Sequence, residues 1–246
     1  MKIRRNWRSV CCACLMLAGN ALADLDATEI IRRSDELLRG EKSYAVITMQ
    51  ITRPEWQRTM KMAGWTEGTT KSFIEVLTPR KDQGVTFLKL DRQAWQYVPA
   101  IDRTIKIPPS MMLQSWMGSD FTNDDVVRAD SLVVDYTHQL VEQSETTWTI
   151  EARPKPKAPV VWGKIILQVN KANFVSEGAD YFDEEGVKIK SITTAEIKEI
   201  EGRQVATEMT MRNHSREGYA TTLTYDELTF DPPIKPDTFS LRNLKR

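Results

Sequence analysis

The spacing of hydrophobic residues changes once along the chain, from a helical period to a period of two. Over residues 26–39, apolar side chains recur three and four positions apart, and Gly40 follows as a C-terminal stop. From Tyr44 onward, hydrophobic and polar positions alternate, which is typical of strands with one buried face. The pattern therefore predicts one N-terminal helix followed by β-structure.

Strands dominate the rest of the chain, and short turns containing Gly, Asp or Pro separate most of them. Strands joined by such turns are antiparallel. In the run that begins at Val187, Lys188 and Lys190 alternate with apolar residues. We expect Val187 to face the interior and both lysines to face water. About a dozen strands with little helix predict a large curved sheet or barrel. The runs are 44–53, 59–66, 71–78, 84–90, 93–98, 101–107, 132–142, 146–153, 162–170, 174–183, 187–198, 203–212 and 220–230.

A methionine-rich segment interrupts the strand pattern after two consecutive prolines. Met112 and Trp116 are four residues apart and share one side of a helix. The same spacing joins Leu113 to Met117. The spacing predicts a short helix over Met111–Met117.

Two interpretations of this segment stay open. Methionine is flexible and polarisable, so a methionine cluster suits apolar partners of variable shape. The segment is either core that plugs one end of the barrel or a lid over an apolar cavity. Both hold if the lid fills the cavity when no ligand is bound. Gly118 ends the segment, and Thr122 with Asp125 matches the capping box of a second short helix.

Three aromatic residues on neighbouring strands form a second candidate site. Trp95 and Tyr97 are two positions apart and share one face of a strand. Phe87 lies on the preceding strand, and we expect it to face the same interior. Large aromatic side chains on a concave sheet either fill a core or line a ligand site.

Composition and motifs argue against several functional classes. The chain is 41% hydrophobic and 28% charged, which is typical of globular proteins. Outside the first 23 residues, 34 acidic residues stand against 30 basic ones, so a net charge of −4 argues against nucleic-acid binding. His138 and His214 lie far apart, and the sequence has no metal-ligand spacing, nucleophile elbow or phosphate loop. We expect no metal, no cofactor and no enzymatic activity.

Residues 1–23 have the features of a cleaved export signal. A basic start precedes the apolar run at 9–18, which is too short to span a bilayer stably. Ala21 and Ala23 occupy the −3 and −1 positions of a cleavage site. We expect one mature domain, 24–246, with no cysteine, as suits a bacterial periplasm. An uncleaved membrane anchor is the alternative.

These features follow one another in a recognisable order. After the signal and the helix, a strand ends in Ile51–Pro54, and a Trp-x-Tyr-x-Pro element follows at Trp95, Tyr97 and Pro99. The apolar segment and further strands come next. Together they resemble the periplasmic lipoprotein-sorting carriers of the LolA-like family. The stretch 111–125 resembles the branch named outer-membrane lipoprotein-sorting proteins.

The resemblance implies a mainly β fold and a function. The fold is a single-domain, unclosed and highly curved antiparallel β-barrel, with an N-terminal helix and short lid helices over an apolar cavity. Such a carrier binds acyl chains of a lipoprotein or another envelope lipid in the periplasm. It receives the cargo from an inner-membrane transporter, of the lipoprotein-releasing or the resistance-nodulation-division type, and passes it toward an outer-membrane acceptor. The alternative function is a lipid-binding sensor or adaptor of an envelope pathway that transports nothing.

The resemblance and the apolar spacing together give candidate residues. Arg53 takes the position of an arginine that holds the lid closed in the family. The residues expected to contact the ligand from the cavity and the lid are Phe87, Trp95, Tyr97, Met111, Met112, Leu113, Trp116 and Met117.

Overall fold

The computed structural model describes residues 25–127 and 131–245, and its main feature is one antiparallel sheet. The strands are β1 (Lys42–Thr52), β2 (Gln57–Glu67), β3 (Lys71–Thr78), β4 (Thr86–Leu90), β5 (Gln93–Val98), β6 (Arg103–Lys106), β7 (Tyr136–Gln143), β8 (Thr147–Pro154), β9 (Lys164–Asn170), β10 (Ser176–Phe182), β11 (Lys188–Ile200), β12 (Arg203–Asn213) and β13 (Ala220–Phe230). Their order in the sheet is β6-β5-β4-β3-β2-β1-β13-β12-β11-β10-β9-β8-β7. In the described residues the end strands β6 and β7 do not pair with each other, so the sheet is not closed into a barrel, and the predicted fold class is confirmed.

Three helices accompany the sheet in the described residues: α1 (Ala27–Leu37), α2 (Asn123–Val127) and α3 (Ser131–Asp135). The amphipathic α1 buries one face, including Ile30 and Ile31, against β7, β9 and β12. No helix among these residues has the length and apolar character needed to cross a bilayer. The predicted signal peptide lies outside the described residues.

One side of the sheet, here called the inner face, carries α1 and the segment 107–127. The strand register decides which side chains reach this face. Phe87 pairs with Ile74 and packs in the inner cluster. Trp95, however, pairs with Leu88, and adjacent residues of a strand point to opposite faces. The prediction that Phe87 and Trp95 face one interior is therefore wrong.

The outer face beside Trp95 is covered by the C-terminal residues. Leu244 is fully buried against Phe73 and Leu88. Trp95 and Tyr97 pack around this cluster as partly buried side chains. They stabilise the outer face of the sheet and do not reach the inner face.

The beginning of β11 also has its faces reversed relative to the prediction. Val187 is 56% exposed, whereas Lys190 is buried. Lys188 forms an ion pair with Asp180 at 2.6 Å and keeps contact with water. Alternation predicts that a strand has two different faces. It does not show which face is buried, because a lysine with a hydrogen-bond partner inside the protein is itself able to face the core.

The segment 107–127, here called the lid segment, is not the predicted helix over Met111–Met117. A single 3₁₀ turn at Pro109–Met111 is followed by turns, and Met117 and Gly118 both adopt positive φ. A short bridge pairs Ser115 with Thr122. The segment therefore folds back on itself like a hairpin.

The predicted second helix is confirmed as α2, with its capping box. The Thr122 amide donates to Asp125 Oδ2 at 2.7 Å, and the Asp125 amide donates to Thr122 Oγ1 at 3.2 Å. Such reciprocal bonds satisfy amides that a helix start leaves without partners.

Candidate functional site

A cavity of about 490 Å³ lies between α1, the lid segment and the inner face of the sheet. Its size falls within the range of small-molecule sites. Helix α1 contributes Ile31 and Leu37, the first strand contributes Ile47, and β12 contributes Met209 and Met211. These apolar walls come from distant parts of the chain. The lid segment adds Phe121, Asp124, Asp125 and Val126 to the lining.

One border of the cavity is polar. Ser43, Thr66, Ser72 and Lys89 occupy matching register positions on the four adjacent strands β1–β4 and line the cavity. The Ser43 and Thr66 hydroxyls lie 2.6 Å apart, and Lys89 Nζ donates to the carbonyl oxygen of Thr69. The cavity thus combines an apolar interior with a hydrogen-bonding border, which suits an amphiphilic ligand.

Two tyrosines on the opposite border stay uncharged. Burial raises the pKa of Tyr136 and of Tyr181 well above the usual value, and the Asp124 carboxylate raises that of Tyr136 further. Both side chains line the cavity. Neutral tyrosine side chains therefore form this part of the lining.

The lid segment fills the half of the inner face beside the cavity. Trp116 is buried and packs against Phe87, with ring centroids 5.3 Å apart. Around this pair lie Met49 of β1 and Met60 of β2. Trp116 Nε1 is buried and has no hydrogen-bond partner among the described residues. An unsatisfied buried donor costs about 1–3 kcal/mol, so this arrangement of the lid segment is less stable than its apolar packing alone suggests.

A buried ion pair fastens the lid segment to the ends of β1 and β13. Arg53 Nη1 lies 2.9 Å from Asp120 Oδ2, and both side chains are buried. Arg53 also donates to the carbonyl oxygen of Gly118 at 2.8 Å, and Thr221 Oγ1 donates to Asp120 Oδ2 at 2.7 Å. Removing one partner of such a pair typically costs about 3–5 kcal/mol, because the other charge stays buried.

A second cation reaches the lid segment from the other half of the sheet. Lys190 Nζ donates to the carbonyl oxygen of Asp120 at 2.6 Å and lies 3.7 Å from Asp125 Oδ2. It also lies 5.4 Å from the ring centroid of Trp162. Arg53 and Lys190 therefore hold the same stretch of the lid segment from two sides.

The described residues offer no metal centre: nowhere in 25–127 or 131–245 do three His, Cys, Asp or Glu side chains come close enough to hold an ion.

Comparison with known proteins shows the family and the fold of this chain. A family model described as an uncharacterized protein matches residues 68–246. The chain belongs to this family. No protein with a curated function matches the sequence.

Solved structures show that the fold is LolA-like. A DUF1329 family protein from Desulfovibrio piger has a TM-score of 0.81 at 22% identity, with 89% of this chain and 97% of that chain covered. A putative outer membrane lipoprotein-sorting protein domain from Vibrio parahaemolyticus has a TM-score of 0.78 at 22% identity, covering 89% and 98%. A LolA superfamily protein from Nitrosomonas europaea has a TM-score of 0.74 at 19% identity, covering 89% and 99%. The predicted LolA-like resemblance is confirmed.

The structure brings some predicted site residues together within this LolA-like fold and separates others. Phe87 and Trp116 lie in contact on the inner face, with Met117 beside their cluster. Met112 is buried against Ala94, with Met111 beside it. The remaining three lie elsewhere, since Leu113 is 61% exposed and both Trp95 and Tyr97 belong to the outer face.

None of the eight predicted contact residues lines the cavity of about 490 Å³. Its walls are inner positions of several strands, such as Ile47 and Met209, together with one face of α1. The period-two pattern contained part of this signal, because apolar residues of β1 alternate with polar ones from Ile47 onward. The sequence did not show which strands curve around the same space.

Proposed function

We propose that the protein is a periplasmic carrier. It binds acyl chains of a lipoprotein or another hydrophobic envelope lipid in the cavity, and it transfers this cargo from an inner-membrane transporter toward the outer membrane. The observation that carries the proposal is an apolar cavity in a LolA-like fold, bordered by a lid segment that the Arg53–Asp120 ion pair holds in place. Each methylene buried there contributes about 0.8 kcal/mol, so even one acyl chain binds favourably from water.

The lid segment gives uptake and release a physical basis. In the closed state, Trp116 and Met112 cover apolar strand positions beside the cavity. When cargo enters, its chain replaces these side chains on the inner face. The inner face stays covered by apolar groups in both states, so their free energies differ little and transfer is reversible. Opening also lets Trp116 Nε1 bind water, which favours release of the lid.

The partners follow from this role. The donor is an inner-membrane transporter of the lipoprotein-releasing or the resistance-nodulation-division type, and the acceptor lies at the outer membrane. The Arg53–Asp120 ion pair keeps the empty carrier closed between the two membranes.

Native mass spectrometry of the mature protein, purified from periplasm without detergent, tests the carrier. We expect discrete added mass that extraction identifies as an acylated molecule. If the protein is bare and added lipids also fail to bind, the carrier proposal is wrong. Tight binding to an envelope protein without any lipid transfer between vesicles would instead indicate a sensor.

Paired aspartate substitutions test the lid. We expect Met112→Asp with Trp116→Asp to abolish lipid uptake, because carboxylates are disfavoured against an acyl chain. Circular dichroism is the check that the variant is folded. Leu113→Asp is the control from the same segment. Leu113 is exposed, so we expect its substitution to leave uptake unchanged. Undiminished uptake by the folded double variant would refute the lid role.

A further inference from the structure

Resting on the proposed function, we propose that the cargo carries an anionic group close to its chain, a phosphate or a carboxylate, and that this group binds Lys190 when the lid segment opens. Lys190 is then a headgroup-binding residue of the cavity.

Lys190 lies at the boundary between the lid segment and the cavity. Trp162 and Asp125, two of its neighbours, both line the cavity. Tyr181, its register partner on β10, lines the cavity as well. A modest displacement of the lid segment therefore exposes the ammonium group to whatever occupies the cavity.

Both oxygens that Lys190 contacts in the described part of the chain belong to the lid segment. They are the carbonyl oxygen of Asp120 and Oδ2 of Asp125. If the segment leaves, the ammonium retains the ring of Trp162 but neither oxygen. Burying a cation without an anionic partner is unfavourable, so opening the lid segment for a neutral chain leaves this cost uncompensated.

Arg53 differs from Lys190 in this respect. It donates to the carbonyl oxygens of Thr52 and Ala220, which belong to the sheet, and its guanidinium stacks over Tyr219. Arg53 therefore keeps partners when the lid segment opens, and Lys190 is the cation that needs a replacement anion.

An anionic amphiphile supplies this replacement. Its chain occupies the apolar walls while its charged group takes the place of the Asp125 carboxylate beside Lys190. Exchange of one anion for another keeps the ammonium paired in both states, and it makes lid opening selective for charged amphiphiles over neutral ones.

Displacement of the neutral fluorophore N-phenyl-1-naphthylamine from the delipidated mature protein tests the inference. Dodecanoate, dodecyl phosphate and dodecanol share one chain length; the two anions are used below their micelle concentrations and dodecanol below its solubility limit. We expect one or both anions to bind about tenfold more tightly than dodecanol, equivalent to about 1.4 kcal/mol. Preference for dodecyl phosphate indicates a phospholipid-type group, and preference for dodecanoate indicates a free fatty acid.

Two variants assign the effect to Lys190. Lys190→Gln should remove the preference for anions and retain dodecanol binding, and Lys190→Met repeats the test if the glutamine variant is unstable. Lys198→Gln, an exposed position on the same strand, should behave like the wild type. Equal binding of dodecanol and the anions by the wild type overturns the inference but leaves the carrier intact. An anion preference that persists in Lys190→Gln also overturns it, whereas failure of all three probes to bind refutes the carrier itself.

Discussion

Replacing Trp116 by alanine distinguishes a lid that occupies ligand space from a residue that only stabilises the core. Trp116 is 5% exposed and packs against Phe87. Large-to-small substitutions of buried tryptophan cost about 3–5 kcal/mol of unfolding free energy. Removing the unpartnered indole N–H offsets part of this, by about 1–3 kcal/mol. We therefore expect a net loss of about 2 kcal/mol in the unfolding free energy measured by urea denaturation.

The same substitution should strengthen ligand binding. Ile74 and Val126 line both the cavity and the small pocket beside Trp116, so the space vacated by the indole adjoins the cavity. About four methylenes of an alkyl chain filling that space gain about 3 kcal/mol. After the ordering of the chain is subtracted, we expect dodecanol to bind about tenfold to a hundredfold more tightly. Isothermal titration calorimetry measures the affinity, and repeating the denaturation with dodecanol should restore the lost stability.

Leu88→Ala is the matched control for this measurement. Leu88 is 1% exposed, but it packs on the outer face against Phe73 and Leu244. We expect a comparable loss of about 2–5 kcal/mol and no change in affinity for dodecanol. If Trp116→Ala binds dodecanol no better than the wild type does, Trp116 is ordinary core and the reasoning is refuted.

Three further predictions concern the Arg53–Asp120 ion pair, the pH dependence of stability and helix α2. Arg53→Met should lower the free energy of unfolding by about 3–5 kcal/mol, because Asp120 stays buried without its cationic partner. Adding Asp120→Asn should recover part of this loss in a double-mutant cycle. Additive losses would contradict coupling between the two residues. Burial lowers the pKa of His138 below its ordinary 6.5, so the folded state favours the neutral ring. The stability that the neutral ring gives is present above that pH and is lost as the pH falls. Between about pH 7.5 and about pH 5 the wild type should therefore lose more stability than His138→Asn, and equal losses would contradict this. Thr122→Ala should cost about 1 kcal/mol in thermal or urea denaturation by removing the cap of α2, and an unchanged stability would show that the capping box adds nothing.

Local patterns predicted most of the elements of the fold. The runs at 71–78, 93–98 and 220–230 coincide with β3, β5 and β13, and α1 falls within the predicted helix at 26–39. Period and turn residues depend on neighbours in sequence, so they are visible without the fold. The run at 132–142 was only partly right, because its first residues form α3.

The faces of the strands depended on contacts that local patterns do not contain. Whether Trp95 or Gln96 stands beside Phe87 is decided by the register of β4 and β5, and a shift of one residue exchanges the two faces. Lys190 reads as solvent-facing until Asp120, far away in sequence, is placed beside it. Both errors concern the site, where distant segments meet.

The mispredicted helix of the lid segment has a related cause, which bears on function. Helical spacing of Met112 and Trp116 favours a helix, but an isolated helix of so few residues is unstable in water, because nucleation fixes several residues for one hydrogen bond. Tertiary contacts therefore decide the conformation: the aromatic contact with Phe87 and the ion pair of Asp120 with Arg53 impose turns instead. A segment whose structure depends on such contacts is released when a ligand replaces them, whereas a self-sufficient helix would keep its shape and move as a rigid body. The weak local preference that misled the helix prediction is thus the property that a lid requires.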